Sequence, residues 1–167
     1  MPVQLVRESV GPGEESVWDY PRPPRIEDSN KHIEIVFNNV KIADTHRAKR
    51  VLETSHPPVY YIPSEDVMLA EHFSEAGNRT FCEWKGSASY FTITVGDRSA
   101  SNAAWTYRNP HPAFREIEGY IAVYPALMDA CLVDGQVARP QPGGFYGGWI
   151  TSDIKGPFKG EPGTGGW

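Results

Sequence analysis

The stretch 80–95 ends in YFTITV, in which Phe91, Ile93 and Val95 alternate with an aromatic or hydroxylated residue. A period of two is the period of a β-strand, because successive side chains point to opposite faces of a sheet. The stretch therefore predicts a strand or strand pair with one apolar face. Its other face carries aromatic and hydroxyl groups and is either exposed to solvent or the wall of a pocket.

The same period appears earlier, where Ile33, Ile35 and Phe37 fall on one face. The pair Asn38 and Asn39 follows, and the alternation then resumes in VKI. Asparagine tolerates positive φ, as the tight turns between antiparallel strands require. The pattern predicts a β-hairpin. Residues 44–50 could then open a helix capped by Asp44 or Thr45, or bend into a strand that ends at Leu52, and we favour the bend and strand.

Proline and glycine set the domain organisation. Residues 1–27 contain four prolines besides the Gly-Pro-Gly at 11–13, a density that disfavours any long regular element and predicts an extended arm. We expect a single β-rich domain over residues 28–160 and a loose tail over 161–167. The segment after Pro140 is rich in glycine and proline but also carries four large aromatic residues, namely Phe145, Tyr146, Trp149 and Phe158. Disordered tails usually lack such rings, so we expect this segment to wrap the domain.

The remaining elements are predicted from shorter patterns. Residues 102–107 (NAAWTY) predict a strand whose aromatic residues reach Tyr90 if the two strands pair. Residues 113–118 predict one short helix that stops at Gly119. Residues 70–78 read as an exposed loop, and residues 128–133 as the hairpin partner of a strand at 121–123.

Charge and cysteine content exclude several classes of protein. A net charge of -5 and a pI of about 5.5 argue against nucleic acid as a partner, because phosphate binding requires a dense basic face. Cys82 and Cys131 are too few and too distant for a disulfide framework or a paired-cysteine zinc site, and we interpret them as reduced, buried thiols. The amino end has no secretory h-region and no apolar run approaches membrane-spanning length. We therefore expect a cytoplasmic protein without a membrane partner.

Five motifs in order resemble a widespread bacterial and fungal family of small domains of unknown function that some catalogues label nucleotidyltransferase-like. They are TSHPPVYYIP, FCEWKGSASY, AAWTYRNPHPAF, GYIAVYP and PGGFYGGWITSDIKGPFKG, and the resemblance runs from about Arg25 to Gly160. It implies a small, mostly antiparallel β fold of two sheets pinned together at one end, the β-tent. Other tents often bind zinc through two cysteine pairs, which this chain lacks, so the resemblance implies a zinc-less version. Glu83 departs from the family, which would carry proline between the cysteine and the tryptophan.

The residues themselves disfavour nucleotidyl transfer. Two-metal phosphoryl transfer requires closely spaced carboxylates, and no Asp-x-Asp follows a Gly-Ser pair in this chain. The chain also lacks a phosphate-binding P-loop and a G-x-G-x-x-G turn. Metal binding would need three of the five histidines to converge, and their spacing does not suggest it. We expect neither a metal nor a cofactor.

The best polar constellation is His56 with Lys85, Glu53 and Asp44. The paired prolines after His56 force it into an extended conformation. A histidine can act as a general base if a carboxylate orients it, and a lysine beside it can bind an anion or polarise a carbonyl. The alternative to a catalytic role is that His56 only forms hydrogen bonds within a turn. For Arg47 and Arg50 we favour a solvated strand edge over anion binding.

The aromatic set exceeds what a small core needs, and its members are Trp84, Tyr90, Trp105, Tyr107, Tyr146 and Trp149. Some of these rings fill the core, and the remainder can line a pocket for a flat or cationic small molecule. The first hypothesis is thus a small-molecule binding module with ligand contacts from Trp84, Lys85, Tyr90, Trp105, Tyr107 and His56. The alternative is an enzyme of unknown reaction that uses His56, Lys85 and Glu53 as catalytic residues in the same pocket. The sequence permits a monomer or a homodimer.

Overall fold

The computed structural model describes residues 6–82, 84–144 and 146–167. The described chain is mostly β, with one α-helical turn, α1 (Leu69–His72), and short 3-10 helices at Val17–Asp19, Ser64–Asp66, Pro112–Ile117 and Pro125–Leu127. The strands are β1 (Glu15–Ser16), β2 (Arg25–Asp28), β3 (Ile33–Phe37), β4 (Val40–Thr45), β5 (Lys49–Leu52), β6 (Val59–Tyr61), β7 (Phe73–Cys82), β8 (Gly86–Val95), β9 (Arg98–Thr106), β10 (Ile121–Val123), β11 (Ala130–Val133), β12 (Gln136–Val137), β13 (Arg139–Pro140), β14 (Trp149–Ile150) and β15 (Ile154–Lys155). Among the described residues, no helix has the length and apolar character needed to cross a bilayer.

Two four-stranded antiparallel sheets form the body of the domain, in the orders β7-β8-β9-β10 and β4-β3-β11-β12. A three-stranded sheet, β2-β5-β6, joins them. Isolated bridges pair Ile62 with Ile121 and Ala43 with Val67, so the residues that follow β6 connect to both four-stranded sheets. The mostly β, antiparallel fold predicted from the sequence is confirmed.

The two-residue periods place the core as the sequence predicted. Ile33, Ile35 and Phe37 on β3 are buried and pack in one cluster with Phe91 and Ile93 of β8. The turn between β3 and β4 has φ of 48° and 64° at its two asparagines, as the hairpin prediction required. A second cluster, which includes Tyr61, Trp105 and Tyr107, lies against the cleft described below.

The amino-terminal arm and the carboxy-terminal segment pack on each other within one chain. Strand β1 pairs in parallel with β15, and the indole N–H of Trp18 donates to the carbonyl of Pro157 (2.9 Å). Tyr20 is buried, and its hydroxyl donates to Glu15 (2.6 Å). Residues 15–20 of the arm are thereby held against residues 154–157 of the carboxy-terminal segment. Phe145, part of the predicted wrap, lies outside the described residues.

Three local predictions differ from the structure. The predicted loop 70–78 is wrong, because α1 and the first half of β7 occupy it. The predicted pairing of 128–133 with 121–123 is also wrong, since β11 pairs with β3 and β12 while β10 pairs with β9. The short helix after Pro112 is present, but as a kinked 3-10 helix that ends at Ile117 before Gly119 with φ of 74°. Pattern alone does not distinguish between partners that bury the same face.

Candidate functional site

A cleft of about 370 Å³ opens beside the second core cluster. Its lining comes from the loop after β5, the β7–β8 turn, strands β8 and β9, and the carboxy-terminal segment. All seven residues predicted as catalytic or ligand-binding line it, namely Glu53, His56, Trp84, Lys85, Tyr90, Trp105 and Tyr107. The structure thus brings these side chains together, while their roles in binding or catalysis stay predictions.

Strands β8 and β9 build the aromatic wall of this cleft. Tyr90 lies directly opposite Trp105 in the ladder, the cross-strand pair that the sequence predicted. The indole N–H of Trp105 donates to the hydroxyl of Tyr61 (3.2 Å), which fixes the plane of the ring. Trp105 also contacts Tyr124, with ring centroids 4.6 Å apart. Burial raises the pKa of the phenols of Tyr61 and Tyr124, so both stay protonated at neutral pH.

Gly147 lets the carboxy-terminal segment pass close to the edge of the Trp105 ring. A Cβ atom at residue 147 would lie 2.3 Å from Cη2 of the Trp105 ring, well inside van der Waals contact. The missing Cβ at residue 147 thus makes room for the Trp105 ring. Tyr146 therefore sits at the rim of the cleft, where its ring lies 5.3 Å from the His56 ring in an edge-on arrangement.

The loop that carries Glu53 and His56 is clamped from both ends of the chain. Ser55 adopts a φ of 73°, its N–H donates to the carbonyl of Val17 (3.1 Å), and its carbonyl accepts from the N–H of Lys159 (2.9 Å). A further backbone bond joins the N–H of His56 to the carbonyl of Glu53 (3.0 Å). The arm and the carboxy-terminal segment thus position the polar end of the cleft.

Gln141 determines the tautomer of His56. The amide oxygen of Gln141 accepts from the N–H of Gly148 (3.2 Å), and its Nε2 donates to the carbonyl of Lys159 (2.9 Å). The second proton of Nε2 therefore points at Nδ1 of His56, 3.0 Å away. Because Nδ1 must accept this bond, the neutral ring carries its proton on Nε2.

Burial is the largest cause that lowers the pKa of His56 to about 4, and the charges of Lys159, Arg22 and Lys85 lower it further. The imidazole is consequently neutral at pH 7. Glu53 does not reverse this effect, because its carboxylate lies 3.6 Å from Nε2 of His56 and also pairs with Arg22 at 3.7 Å. Nε2–H is thus a hydrogen-bond donor on a ring that lines the cleft.

Lys85 is held at the tip of the β7–β8 turn. Its carbonyl accepts from the N–H of His111 (2.8 Å), and its ammonium lies 6.0 Å from the centre of the Tyr107 ring. Gly86, with φ of 110°, makes the bend that aims Trp84 and Lys85 at the cleft. The departure noted at Glu83 lies outside the described residues.

The lining also includes residues that the sequence analysis did not predict for the site, among them Gln141 and Lys159. Gln141 and Lys159 lie 85 and 103 residues from His56, so only the tertiary structure brings them to it. A weak sequence signal existed for Lys159, which belongs to the GPFKG motif. A second cavity of about 580 Å³ adjoins the cleft and shares Tyr90, Gln141 and Tyr146 with it.

Several predicted residues lie elsewhere. Asp44 is on β4, where it pairs with His32 (2.7 Å) and Lys41 (3.0 Å), so it does not belong to the constellation around His56. Arg50 is buried between two glutamates, which makes its prediction as a solvated edge wrong. Trp149 is 1% exposed and fills the main core. Cys131 is buried as expected, but Cys82 is half-buried and lines the cleft.

A potential metal-ligand cluster does occur away from the cleft. Single ligand atoms of His32, Glu34 and Asp44 lie within 4.8 Å of one another, a convergence that the histidine spacing did not suggest. The ammonium of Lys41 bonds to both carboxylates, at 2.9 and 3.0 Å. The cluster is therefore a compact ion-pair network on one face of the β3–β4 hairpin.

Comparison with known proteins identifies a family for this chain but no activity. A family profile described as a domain of unknown function (DUF427) matches residues 25–134, more than half of the chain. No curated protein matches the chain. The matched range includes the aromatic wall and the loop of His56, whereas Gln141, Tyr146 and Lys159 follow it.

Proposed function

The chain belongs to the family of the domain of unknown function DUF427, and we propose that its function is to bind a flat organic molecule in the cleft. The observation that carries the proposal is the convergence of aromatic side chains from separate chain segments around one open space of about 370 Å³. Such a volume falls in the range of small-molecule sites, which are concave and mostly apolar with few polar groups.

The wall of the cleft suits a planar ring. Trp105 and Tyr107 are held rigidly, with only 7% and 6% of their surfaces exposed, so little conformational entropy is lost when a ligand stacks on them. Trp84 and Tyr90 are half-buried and extend this surface. Stacking supplies affinity, and the polar groups at the His56 end supply orientation.

Catalysis by His56 as a general base is the weaker hypothesis. A base needs an unprotonated ring nitrogen directed at the substrate, but Nδ1 of His56 is occupied by Gln141 and Nε2 carries the proton. The nearest carboxylate, that of Glu53, is 3.6 Å from Nε2, which exceeds a hydrogen bond. These contacts favour a donor of a hydrogen bond to a ligand over an acceptor of a proton.

A thermal-shift screen against a library of planar metabolites and fragments tests the proposal. A ligand that binds only the folded state raises the melting temperature. We expect hits for the wild type that are lost in Trp84→Ala. Phe73→Ala is the matched control, because Phe73 is also a half-buried aromatic residue but packs against Phe91 on the main core, away from the cleft.

The control variant should retain the shifts. Hits that stabilise Trp84→Ala as strongly as the wild type would place binding outside the cleft and refute the proposal. A wild type that no member of the library stabilises would also count against it.

A further inference from the structure

The lysines of this chain divide into two groups. Four of the six form ion pairs with carboxylates, and these are Lys31, Lys41, Lys49 and Lys155. The other two, Lys85 and Lys159, both line the cleft. Within the part of the chain that the structure describes, neither of these two ammonium groups pairs with the side chain of an aspartate or glutamate.

The cleft therefore holds excess positive charge on a protein of net charge -5. Among the described residues of the lining, Glu53 is the one with a carboxylate, and its charge is offset by Arg22 at 3.7 Å. Lys85 faces the Tyr107 ring, while Lys159 donates to the main-chain oxygen of Trp167, the last residue of the sequence (3.0 Å). Each contact leaves an ammonium able to take a further acceptor, since it has three donors.

We infer that the ligand of the cleft carries an oxyanion, a carboxylate or a phosphate, which binds Lys85 and Lys159 and accepts the Nε2–H of His56. The inference rests on the proposed function and adds the chemical class of the ligand. Two ammonium groups and one N–H donor complement the lone pairs of an oxyanion with charge-assisted hydrogen bonds. A cationic ligand, which the aromatic wall alone would also suit, meets repulsion from both lysines.

The neutral state of His56 fits this role. Gln141 holds Nδ1 as an acceptor, so the ring presents a donor on Nε2 without requiring protonation. The backbone bond between Lys159 N–H and the carbonyl of Ser55 keeps Lys159 beside the His56 loop (2.9 Å). The three donors are thereby arranged before the ligand arrives, which lowers the entropic cost of binding.

Isothermal titration calorimetry with three matched probes tests the inference: 2-naphthoate, 2-naphthyl phosphate and neutral 2-naphthamide. The rings are the same, so differences in affinity report the head group. For the wild type we expect at least one anion to bind about tenfold or more tightly than the amide, because hydrogen bonds to a charged group are stronger than those to a neutral one. The tighter anion identifies the head group.

Variants assign the effect to the two lysines. Lys85→Met and Lys159→Met should each weaken the anion about tenfold and leave the amide unchanged. Lys155→Met is the matched control, because Lys155 lies in the same carboxy-terminal segment but pairs with Glu14 outside the cleft. Its affinity for all three probes should equal that of the wild type.

The outcomes separate this inference from the proposed function. Equal binding of the anions and the amide by the wild type overturns the inference and leaves the aromatic cleft as the binding site. This comparison requires no variant, so a misfolded lysine variant cannot obscure it. If none of the three probes binds, both the inference and the proposed function are overturned. The same holds if Trp84→Ala binds the probes as tightly as the wild type.

Discussion

Protonation of His56 should make the fold sensitive to mild acid. The pKa of this imidazole is lowered to about 4, against an ordinary value of 6.5. Between these values the unfolded chain binds a proton that the folded chain does not, so the folded state loses stability as the pH falls. The contribution of the neutral His56 ring to the free energy of unfolding is complete above pH 6.5 and is lost progressively as the pH falls through 4. At pH 5 the free energy of unfolding has fallen by about 2 kcal/mol, since each pH unit below the ordinary pKa is worth about 1.4 kcal/mol.

The perturbation that isolates this effect is His56→Asn. The amide oxygen of asparagine can accept from Gln141 as Nδ1 does, but it cannot titrate. Urea unfolding of both proteins at pH 7 and pH 5 gives their free energies of unfolding. We expect the wild type to lose about 2 kcal/mol more than His56→Asn between these values. Other groups titrate alike in both proteins and cancel in the difference.

His111→Asn provides the matched control, because His111 is exposed and caps a 3-10 helix through Nδ1, a role that asparagine also fills. It should show the pH dependence of the wild type. If the wild type and His56→Asn lose equal stability between pH 7 and pH 5, then His56 is not held neutral by burial. The assigned tautomer, and the donor role built on it, would then be refuted.

Three further changes test the packing around the cleft by urea unfolding. Gly147→Val should cost about 2 kcal/mol by overpacking the Trp105 ring, and the same change to Gly165, which has open space around it, should cost less. Arg50→Met should cost about 2 kcal/mol, because it leaves two carboxylates without their buried partner. Tyr61→Phe should cost about 1 kcal/mol, since the indole N–H of Trp105 then lacks its acceptor. An unchanged free energy of unfolding in any of these three variants would contradict the contact on which its prediction rests.

The local elements followed from sequence because their causes are local. The alternation around Ile33 and Ile93 determines which face each strand buries, and the two asparagines at 38–39 determine the turn. Strand partners were less predictable. Strands β3 and β10 both offer an apolar face to β11, and the choice of β3 depends on how whole sheets pack rather than on any short pattern.

Much of the candidate site could also be predicted, since a concentration of aromatic residues in a small domain exceeds the needs of its core. The direction of Trp149 into the core and of Trp84 towards the cleft could not, because both rings occur in similar motifs rich in glycine. Likewise, the sequence predicted Arg50 at a solvated strand edge, whereas in the fold the arm places Glu15 against its guanidinium group.

The sequence by itself determined that this chain forms antiparallel β-sheets and carries His56, Lys85 and an aromatic wall. Only the tertiary structure decided what these residues can do together. It brings Gln141 and Lys159 from the carboxy-terminal segment to His56, which sets the proton on Nε2 and adds a second ammonium. The physical reason is that a tautomer and a local charge depend on contacts across a hundred residues, and those form only when both ends of the chain close on the sheets.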